Sequence, residues 1–384
     1  MSEYQYYEFL AIDHALTEEE TNTLRTLSTR AQITPVSFIN EYNWGDFKGD
    51  PDKLMQRYFD AHVYVANWMT AVFMIRLPID ALSQKTAKAM AVNYMLDFKS
   101  TRTHWIITWC LEESDNYDRF GMEDGRGWMA RLAPLRDELL RGDLRSLYIG
   151  WLASVSRGMS DNYEKEPLSV NGLGSLTAPQ QALAEFLEID PDLVDGAGID
   201  NPAVQAEKIF EKEMGEWING LPKTKVKAVM KQLLEGKGLQ AERTLKKQFT
   251  TWRQGLQDNQ AKVPRRTVKK MWENAKKAEK LRLGREKNAR ILQEKKHREE
   301  REAYLKNLAN DFPKIWKLLQ KTVKRGSGLA YDEVCSSIVD ISEAYKRLGK
   351  RKHFQKELKK FMSNHMRRKA LIQRLEKAGL WKEK

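Results

Sequence analysis

Cysteine and long apolar runs are both scarce in this sequence, and each shortage excludes a class of protein. Cys110 and Cys335 are the only cysteines among the 384 residues, too few for a disulfide framework or a cysteine-rich zinc site. The most apolar stretch, Val63 to Leu77, is interrupted by Asn67 and Arg76 and is shorter than the roughly 18–20 apolar residues of a membrane span. The first residues also lack the basic and apolar regions of a secretory signal. We therefore expect a cytoplasmic protein with reduced thiols and no membrane partner.

The motifs that hold metals, phosphates or activated nucleophiles are missing as well. The six histidines show no spacing that places two of them on one helical turn. Gly45–Asp50 lacks the Gly-Lys-Ser/Thr ending of a P-loop, and Gly172–Gly174 lacks the third glycine of a dinucleotide-binding fingerprint. No Gly-x-Ser-x-Gly elbow occurs. We therefore predict no catalytic residue, no metal and no cofactor.

Two polar stretches are the places where a catalytic site would be sought. One is Asn43–Asp50, and the other is the acidic run Glu112–Asp118, which follows a predicted strand. Metal-dependent nucleases often place carboxylates in such a position, but most acidic loops are simply solvated. We therefore favour a non-enzymatic role and keep an enzyme as a third hypothesis.

Charge is distributed unevenly along the chain. Residues 1–220 contain 20 basic and 35 acidic side chains, a net charge of −15. Residues 221–384 contain 46 basic and 18 acidic side chains, a net charge of +28. The overall net charge of +13 therefore describes neither part. A strongly basic region suggests an anionic partner such as nucleic acid, and the acidic region suggests a different partner.

Strand and helix signals alternate in residues 1–115, which predicts an α+β fold with an N-terminal mixed α/β domain. Thr17 and Glu20 form a capping box for the first helix, and Asp50 with Pro51 starts a second helix that we extend to about Trp68. Aromatic and β-branched runs predict strands at 4–12, 35–42, 71–77, 94–99 and 104–111. The last strand is apolar on both faces, which predicts a central position in the sheet.

The rest of the chain has helical patterns and divides into three regions. Residues 116–220 are predicted to form a helical domain with a polar loop at 160–178. Residues 221–310 form a basic helical region, and residues 311–384 form a small C-terminal helical unit with turns at 326–328 and at Gly349.

A long exposed helix is predicted at residues 265–308, which contain no proline. Its heptad positions are apolar at Val268, Met271, Ala275 and Ala278 and polar afterwards, so a coiled-coil seam fails after two heptads. Ion pairs between residues four apart would support the remainder. The expected pairs are Glu273–Lys277, Glu286–Arg290, Glu294–Arg298, Lys295–Glu299, Lys296–Glu300 and Arg298–Glu302. A helix that is polar all round typically crosses solvent between packed parts.

Parts of the sequence resemble known bacterial proteins. Tyr4–Phe9 (YQYYEF), Glu41–Pro51 (EYNWGDFKGDP) and Tyr64–Trp68 (YVANW) resemble a family of uncharacterised bacterial soluble proteins, and this implies a bacterial cytosolic origin without implying an activity. Residues 330–334 and 365–372 resemble the helices that follow SWIM-type zinc fingers in some bacterial proteins. The cysteines and histidines of such a finger are absent, so this resemblance implies no zinc.

Basic clusters are the positive signal in the C-terminal half. Lysine and arginine at this density suit the phosphate backbone of nucleic acid. The candidate nucleic-acid-binding residues are Arg265, Arg266, Lys269, Lys270, Trp272, Lys276, Lys277, Lys350, Arg351, Lys352, Arg367, Arg368 and Lys369. Trp272 is included because a ring among basic residues could stack on bases, although core packing is the alternative, and we assign core packing to Trp316. No groove-reading motif is present, so binding without sequence specificity is expected.

Two functional hypotheses fit these features. The first is a non-enzymatic nucleic-acid-binding or scaffold subunit whose basic half contacts phosphates and whose acidic half binds a protein partner. The second is a protein–protein adaptor that assembles through its acidic N-terminal and basic C-terminal surfaces. The two are compatible in one scaffold subunit.

Overall fold

The aromatic and β-branched runs near the start of the chain form strands of one antiparallel sheet, since such side chains pack well on a pleated surface. The strands are β1 Gln5–Leu10, β2 Gln32–Thr34, β3 Ser37–Tyr42, β4 Ala61–Ala66, β5 Ala71–Pro78, β6 Leu96–Ser100 and β7 His104–Leu111. In the computed structural model, which describes residues 4–68, 70–112, 125–202, 206–238, 265–382 and scattered positions between 241 and 252, this sheet has seven strands in the order β2-β3-β1-β4-β5-β7-β6. The sheet and the helices that follow it confirm the predicted α+β class.

The first two helices begin where the sequence predicts. α1 (Glu18–Leu27) follows Thr17, whose side chain accepts a hydrogen bond from the backbone N–H of Glu20, while the Glu20 carboxylate accepts one from Thr17. α2 (Pro51–Arg57) follows Asp50, whose side chain accepts from the backbone of the first turn. Both helices pack on one face of the sheet. The core there contains Tyr7, Phe9, Leu24, Phe38, Leu54, Met55, Phe59, Met74 and Ile106.

The predicted extension of α2 to about Trp68 is wrong. The helix ends at Arg57, and residues 61–66 form β4, the middle strand of the sheet. This strand is buried on both faces, and its pairing with β1 and β5 decides against the helical spacing of the same segment. The predicted central strand at 104–111 is β7, which lies one strand in from the edge.

Helices cover the other face of the sheet. They are α3 Gln84–Met90, α4 Trp128–Leu132, α5 Leu135–Leu140, α6 Arg145–Ser156, α7 Ala178–Phe186 and α8 Pro191–Gly198, and they are followed by α9 Ala206–Asn219 and α10 Lys223–Leu234. The residues of α6 are buried from Arg145 to Val155. One core joins β4, β5 and β7 to α4–α8. The sheet and the helical segment that follows it therefore fold together.

The long helix is α11, Val268–Ala309. Its four apolar heptad positions, from Val268 to Ala278, are buried. Gly196 of α8 allows a close approach, because a Cβ at this position would lie 2.6 Å from the backbone nitrogen of Ala275. Residues 283–300 are exposed.

Ion pairs along α11 join residues one turn apart. They include Arg282–Glu286, Arg290–Glu294, Lys295–Glu299 and Lys296–Glu300. The last two confirm predicted pairs. Glu286 and Glu294 bind the arginine one turn before them instead of the predicted residue one turn after.

The chain divides within α11 into two compact units, unit 1 at residues 1–281 and unit 2 at residues 282–384. Unit 2 contains the last part of α11 and the helices α12 Phe312–Lys324, α13 Gly328–Arg347, α14 Arg351–Ser363 and α15 Lys369–Lys377. Gly326 and Gly349 have φ values of 69° and 68° after α12 and α13, which suits glycine and confirms the predicted turns. Its core contains Trp316, Leu319, Val323, Val334, Ile338, Ile341, Tyr345, Phe354, Leu358, Phe361, Met362, Leu371, Ile372 and Leu375.

Among the described residues, no helix combines the length and apolarity needed to cross a membrane.

Candidate nucleic-acid interface

The four acidic residues of α13 are all paired with arginines, most of which come from other segments. The ion pairs are Asp332–Arg374 at 2.5 Å, Glu333–Arg325 at 3.5 Å, Asp340–Arg301 at 2.5 Å, Glu343–Arg301 at 2.8 Å and Glu343–Arg347 at 3.2 Å. The hydrogen bond from Arg374 lowers the pKa of Asp332, and the hydrogen bond from Arg301 lowers the pKa of Glu343. These carboxylates therefore stay ionised and paired at neutral pH.

α14 presents a row of lysines to solvent. Its apolar residues recur at helical spacing and are buried, namely Phe354, Leu358, Phe361 and Met362. The opposite side of the helix carries the exposed side chains of Lys352, Lys356, Lys359 and Lys360. The core packing of one face therefore fixes the direction of the lysine row on the other.

α12 is built in the same way. Its buried residues are Trp316, Leu319, Thr322 and Val323, and its exposed lysines are Lys314, Lys317, Lys321 and Lys324. The two helices contribute to one core, where the Trp316 ring centroid is 5.4 Å from that of Phe361 and 6.4 Å from that of Phe354. Both lysine rows thus point away from one shared core.

The two rows form no ion pairs with acidic side chains in the part of the chain that the structure describes. Within residues 311–382, which the structure describes without a gap, none of these eight lysines takes part in an ion pair, whereas the acids of α13 are occupied by arginine. The segment 346–369 contains eleven lysines and arginines and one acidic residue, Glu357. Unit 2 therefore carries a surface of unneutralised ammonium groups.

The predicted clusters at 350–352 and 367–369 lie at the two ends of α14. This helix has 13 residues, so the clusters are separated by about 20 Å along its axis at 1.5 Å per residue. The lysine row of α14 joins them. Arg351 and Arg367 are exposed, while Arg368 donates a 2.6 Å hydrogen bond to the hydroxyl of Tyr331.

These clusters are unfavourable for the helices that they precede. Lys350 and Arg368 are the N-cap residues of α14 and α15, neither caps with its side chain, and neither first turn contains an acid. A cation at a helix N-terminus faces the positive end of the helix dipole, which disfavours it by about 0.3–1 kcal/mol. Helix stability therefore does not explain the positive charge there.

The first predicted cluster lies in unit 1, and Arg266 in it is bound within the protein. Its guanidinium lies 3.1 Å from the buried Glu166 carboxylate and donates to the backbone carbonyls of Ala197 and Ile199. Tyr148 donates to the same carboxylate at 2.6 Å, and burial raises the pKa of its hydroxyl. Arg266 therefore anchors the segment that leads into α11, and we leave it out of the interface.

The remaining members of this cluster differ in exposure. Lys269, Lys276 and Lys277 are exposed, and Lys270 is half-buried. Arg265 is exposed and donates to the carbonyl of Pro167. The ring of Trp272 is half-buried and packs against the core of unit 1, and Trp316 is buried in unit 2.

Seven lysines of the two rows were not among the predicted residues. They are Lys314, Lys317, Lys321, Lys324, Lys356, Lys359 and Lys360. The sequence contains a signal for them, since they recur every three or four residues out of phase with the apolar residues. A search for consecutive basic residues does not detect that spacing.

The loop Asn43–Asp50 packs against the sheet. Phe47 packs on the rings of Tyr7 and Phe9 at centroid distances of 4.9 and 6.2 Å. Gln5 donates to the carbonyl of Gly45. Of the acidic run Glu112–Asp118, residues 113–118 lie outside the described residues. The described part of the chain contains no group of three side chains that could hold a metal ion.

No family model, curated protein or solved structure matches this chain. The resemblances noted in the sequence stay predictions.

Proposed function

We propose that unit 2 binds the phosphate backbone of nucleic acid through the lysine rows of α12 and α14. One observation supports this proposal above the others: eight exposed lysines have no acidic partner among the residues that the structure describes, while the acids of α13 are each paired with arginine. Lysines that bind phosphates release condensed counterions, which makes binding favourable at low salt. The absence of a groove-reading motif suits binding without sequence specificity.

Fluorescence anisotropy with the full chain and a mixed-sequence duplex, between 50 and 300 mM salt, tests the proposal. Each neutralised phosphate contributes about −0.9 to the slope of log K against log salt concentration. The four lysines of α14 alone would give a slope of about −3.6. Failure to bind, or binding that is insensitive to salt, would contradict the proposal.

A matched pair of double variants separates this surface from net charge. K356Q/K359Q removes two unpaired lysines of α14, whereas K295Q/K296Q removes two lysines of α11 that pair with Glu299 and Glu300. Both variants lose the same charge. We expect the first variant to reduce the magnitude of the salt slope by about 1.8 and the second to change it little. Equal effects would mean that net charge alone governs binding.

The adaptor remains a second candidate, favoured by the surface of α10. This helix has no buried residue, and Val226, Met230 and Leu233 are exposed at positions spaced for one face. Exposed apolar faces often mark protein contacts. Light scattering at low and high salt tests this role, since salt-dependent self-association without nucleic acid would support it.

A further inference from the structure

We infer that unit 2 prefers a double-stranded backbone to a single strand and contacts phosphates without contacting bases. This inference rests on the proposed function and specifies its substrate class.

The first argument concerns the aromatic side chains of unit 2. Proteins that bind single strands without sequence preference stack bases on exposed rings, which contributes about 1–3 kcal/mol per base. Tyr304 on α11 is exposed, but its hydroxyl donates to Asp340 and it belongs to neither lysine row. Between residues 311 and 382 no phenylalanine, tyrosine or tryptophan is exposed. Trp316, Tyr345, Phe354 and Phe361 are buried in the core, and the lysine rows lie on the opposite faces of α12 and α14. The proposed surface therefore offers charge and no stacking platform.

The second argument concerns charge density. Without stacking, affinity depends on counterion release, which amounts to about 0.9 ions per contact on a B-form duplex and about 0.7 on a single strand. If the two association constants are equal at 1 M salt, four contacts at 0.1 M salt make the constant for the duplex about sixfold higher than that for the single strand. For eight contacts the factor is about 40.

Anisotropy with the full chain at 0.1 M salt tests the inference. The probes are a 24-base-pair DNA duplex, a 24-base-pair RNA duplex and a 24-nucleotide single-stranded DNA without self-pairing. We expect at least one duplex to bind about sixfold or more tightly than the single strand, and the two duplex arms identify which nucleic acid supplies the backbone. A single strand that binds as tightly as both duplexes overturns the inference and leaves the proposed function. Failure of all three probes overturns the proposed function itself.

The variant K317Q/K321Q tests the charge-density argument. It removes two phosphate contacts of α12 and leaves α14 intact. Each lost contact removes about 0.9 released ions on a duplex and about 0.7 on a single strand, so we expect the loss of duplex binding at 0.1 M salt to exceed the loss of single-strand binding by a factor of about 2.5. Equal losses for the two probes would overturn this argument.

Discussion

Asp60 is a fully buried carboxylate in unit 1 that binds two arginines and one loop. It lies 2.8 Å from Arg76 Nη2 and 3.9 Å from Arg136 Nη2, and it accepts hydrogen bonds from the backbone N–H groups of Ile12 and Asp13 at 2.7 and 2.8 Å. Both arginines are buried. The carboxylate thus connects β4, β5, α5 and the loop after β1.

Removal of the Asp60 carboxylate should strongly lower the free energy of unfolding. Removal of one partner of a buried ion pair costs about 3–5 kcal/mol, because the other charge stays desolvated. In the Asp60→Ala variant Arg76 loses its carboxylate, and two backbone donors lose their acceptor. We therefore expect a loss of about 3–5 kcal/mol in the free energy of unfolding. Asp60→Asn keeps an acceptor for the loop and should lose less.

Urea denaturation at pH 7 measures this loss from the midpoint at constant slope. Asp97→Ala provides the control, because Asp97 is an exposed aspartate on β6 and should change stability by less than about 0.5 kcal/mol. A loss below about 1 kcal/mol for Asp60→Ala, or a loss equal to that of the control, would refute the reasoning about the buried network.

The same network makes the free energy of unfolding depend on pH. Burial raises the pKa of Asp60, but the N–H of Asp13, the Arg76 guanidinium and the N–H of Ile12 together outweigh burial and lower it. Because the pKa of Asp60 is lower in the folded protein than in the unfolded protein, ionised Asp60 stabilises the fold. This contribution is complete above the unfolded pKa of about 3.9 and is lost as the pH falls through the folded pKa. The stability difference between wild type and Asp60→Asn should therefore shrink below about pH 4. A difference that is unchanged at pH 3 would contradict this origin.

Two further substitutions test backbone features of unit 1. Gly196→Ala places a Cβ 2.6 Å from the backbone nitrogen of Ala275. This variant should lower the free energy of unfolding by about 1–3 kcal/mol in urea denaturation. An unchanged midpoint would mean that α8 and α11 are less closely packed. Tyr94 has a φ of 65° and is 74% exposed, so Tyr94→Asn, which suits a left-handed conformation, should raise stability by up to about 1 kcal/mol in thermal denaturation. A lower Tm for this variant would indicate contacts of the tyrosine that outweigh the strain.

Local signals predicted the elements that depend on neighbouring residues. The capping box of Thr17 and Glu20, the Asp50 cap and the glycine turns all involve groups within a few residues of one another, and the structure contains each of them. The prediction for residues 58–66 was wrong because the apolar residues of this segment fit both the spacing of a helix and the alternation of a strand. The choice between them was made by β1, which pairs with β4 from a distant part of the chain, and by β5, which follows β4 in a hairpin.

The candidate interface was only partly predictable for the same reason. The sequence places Arg266 in a basic cluster, but its partner Glu166 lies 100 residues away. The ion pair that occupies Arg266 therefore depends on tertiary structure and could not be predicted. The acids of α13 likewise receive Arg301 and Arg374 from segments about 40 residues away. The lysine row of α14, by contrast, could be predicted from its spacing against Phe354 and Leu358.

Arginine and lysine are divided between two tasks in unit 2, and this division bears on how its charge should be interpreted. The planar guanidinium suits fixed pairs with carboxylates, whereas the hydrated ammonium on its flexible stem suits exchangeable contacts with phosphates. Arg301, Arg325 and Arg374 are bound to α13, while the lysines of α12 and α14 have no acidic partner among the described residues. α11 is about equally rich in basic residues. Its Lys295 and Lys296 are paired one turn away, whereas Lys280 and Lys287 have no ion pair among the described residues. The density of basic residues therefore overstates the unneutralised charge of α11, and the unpaired lysines give the better estimate of where a polyanion would bind.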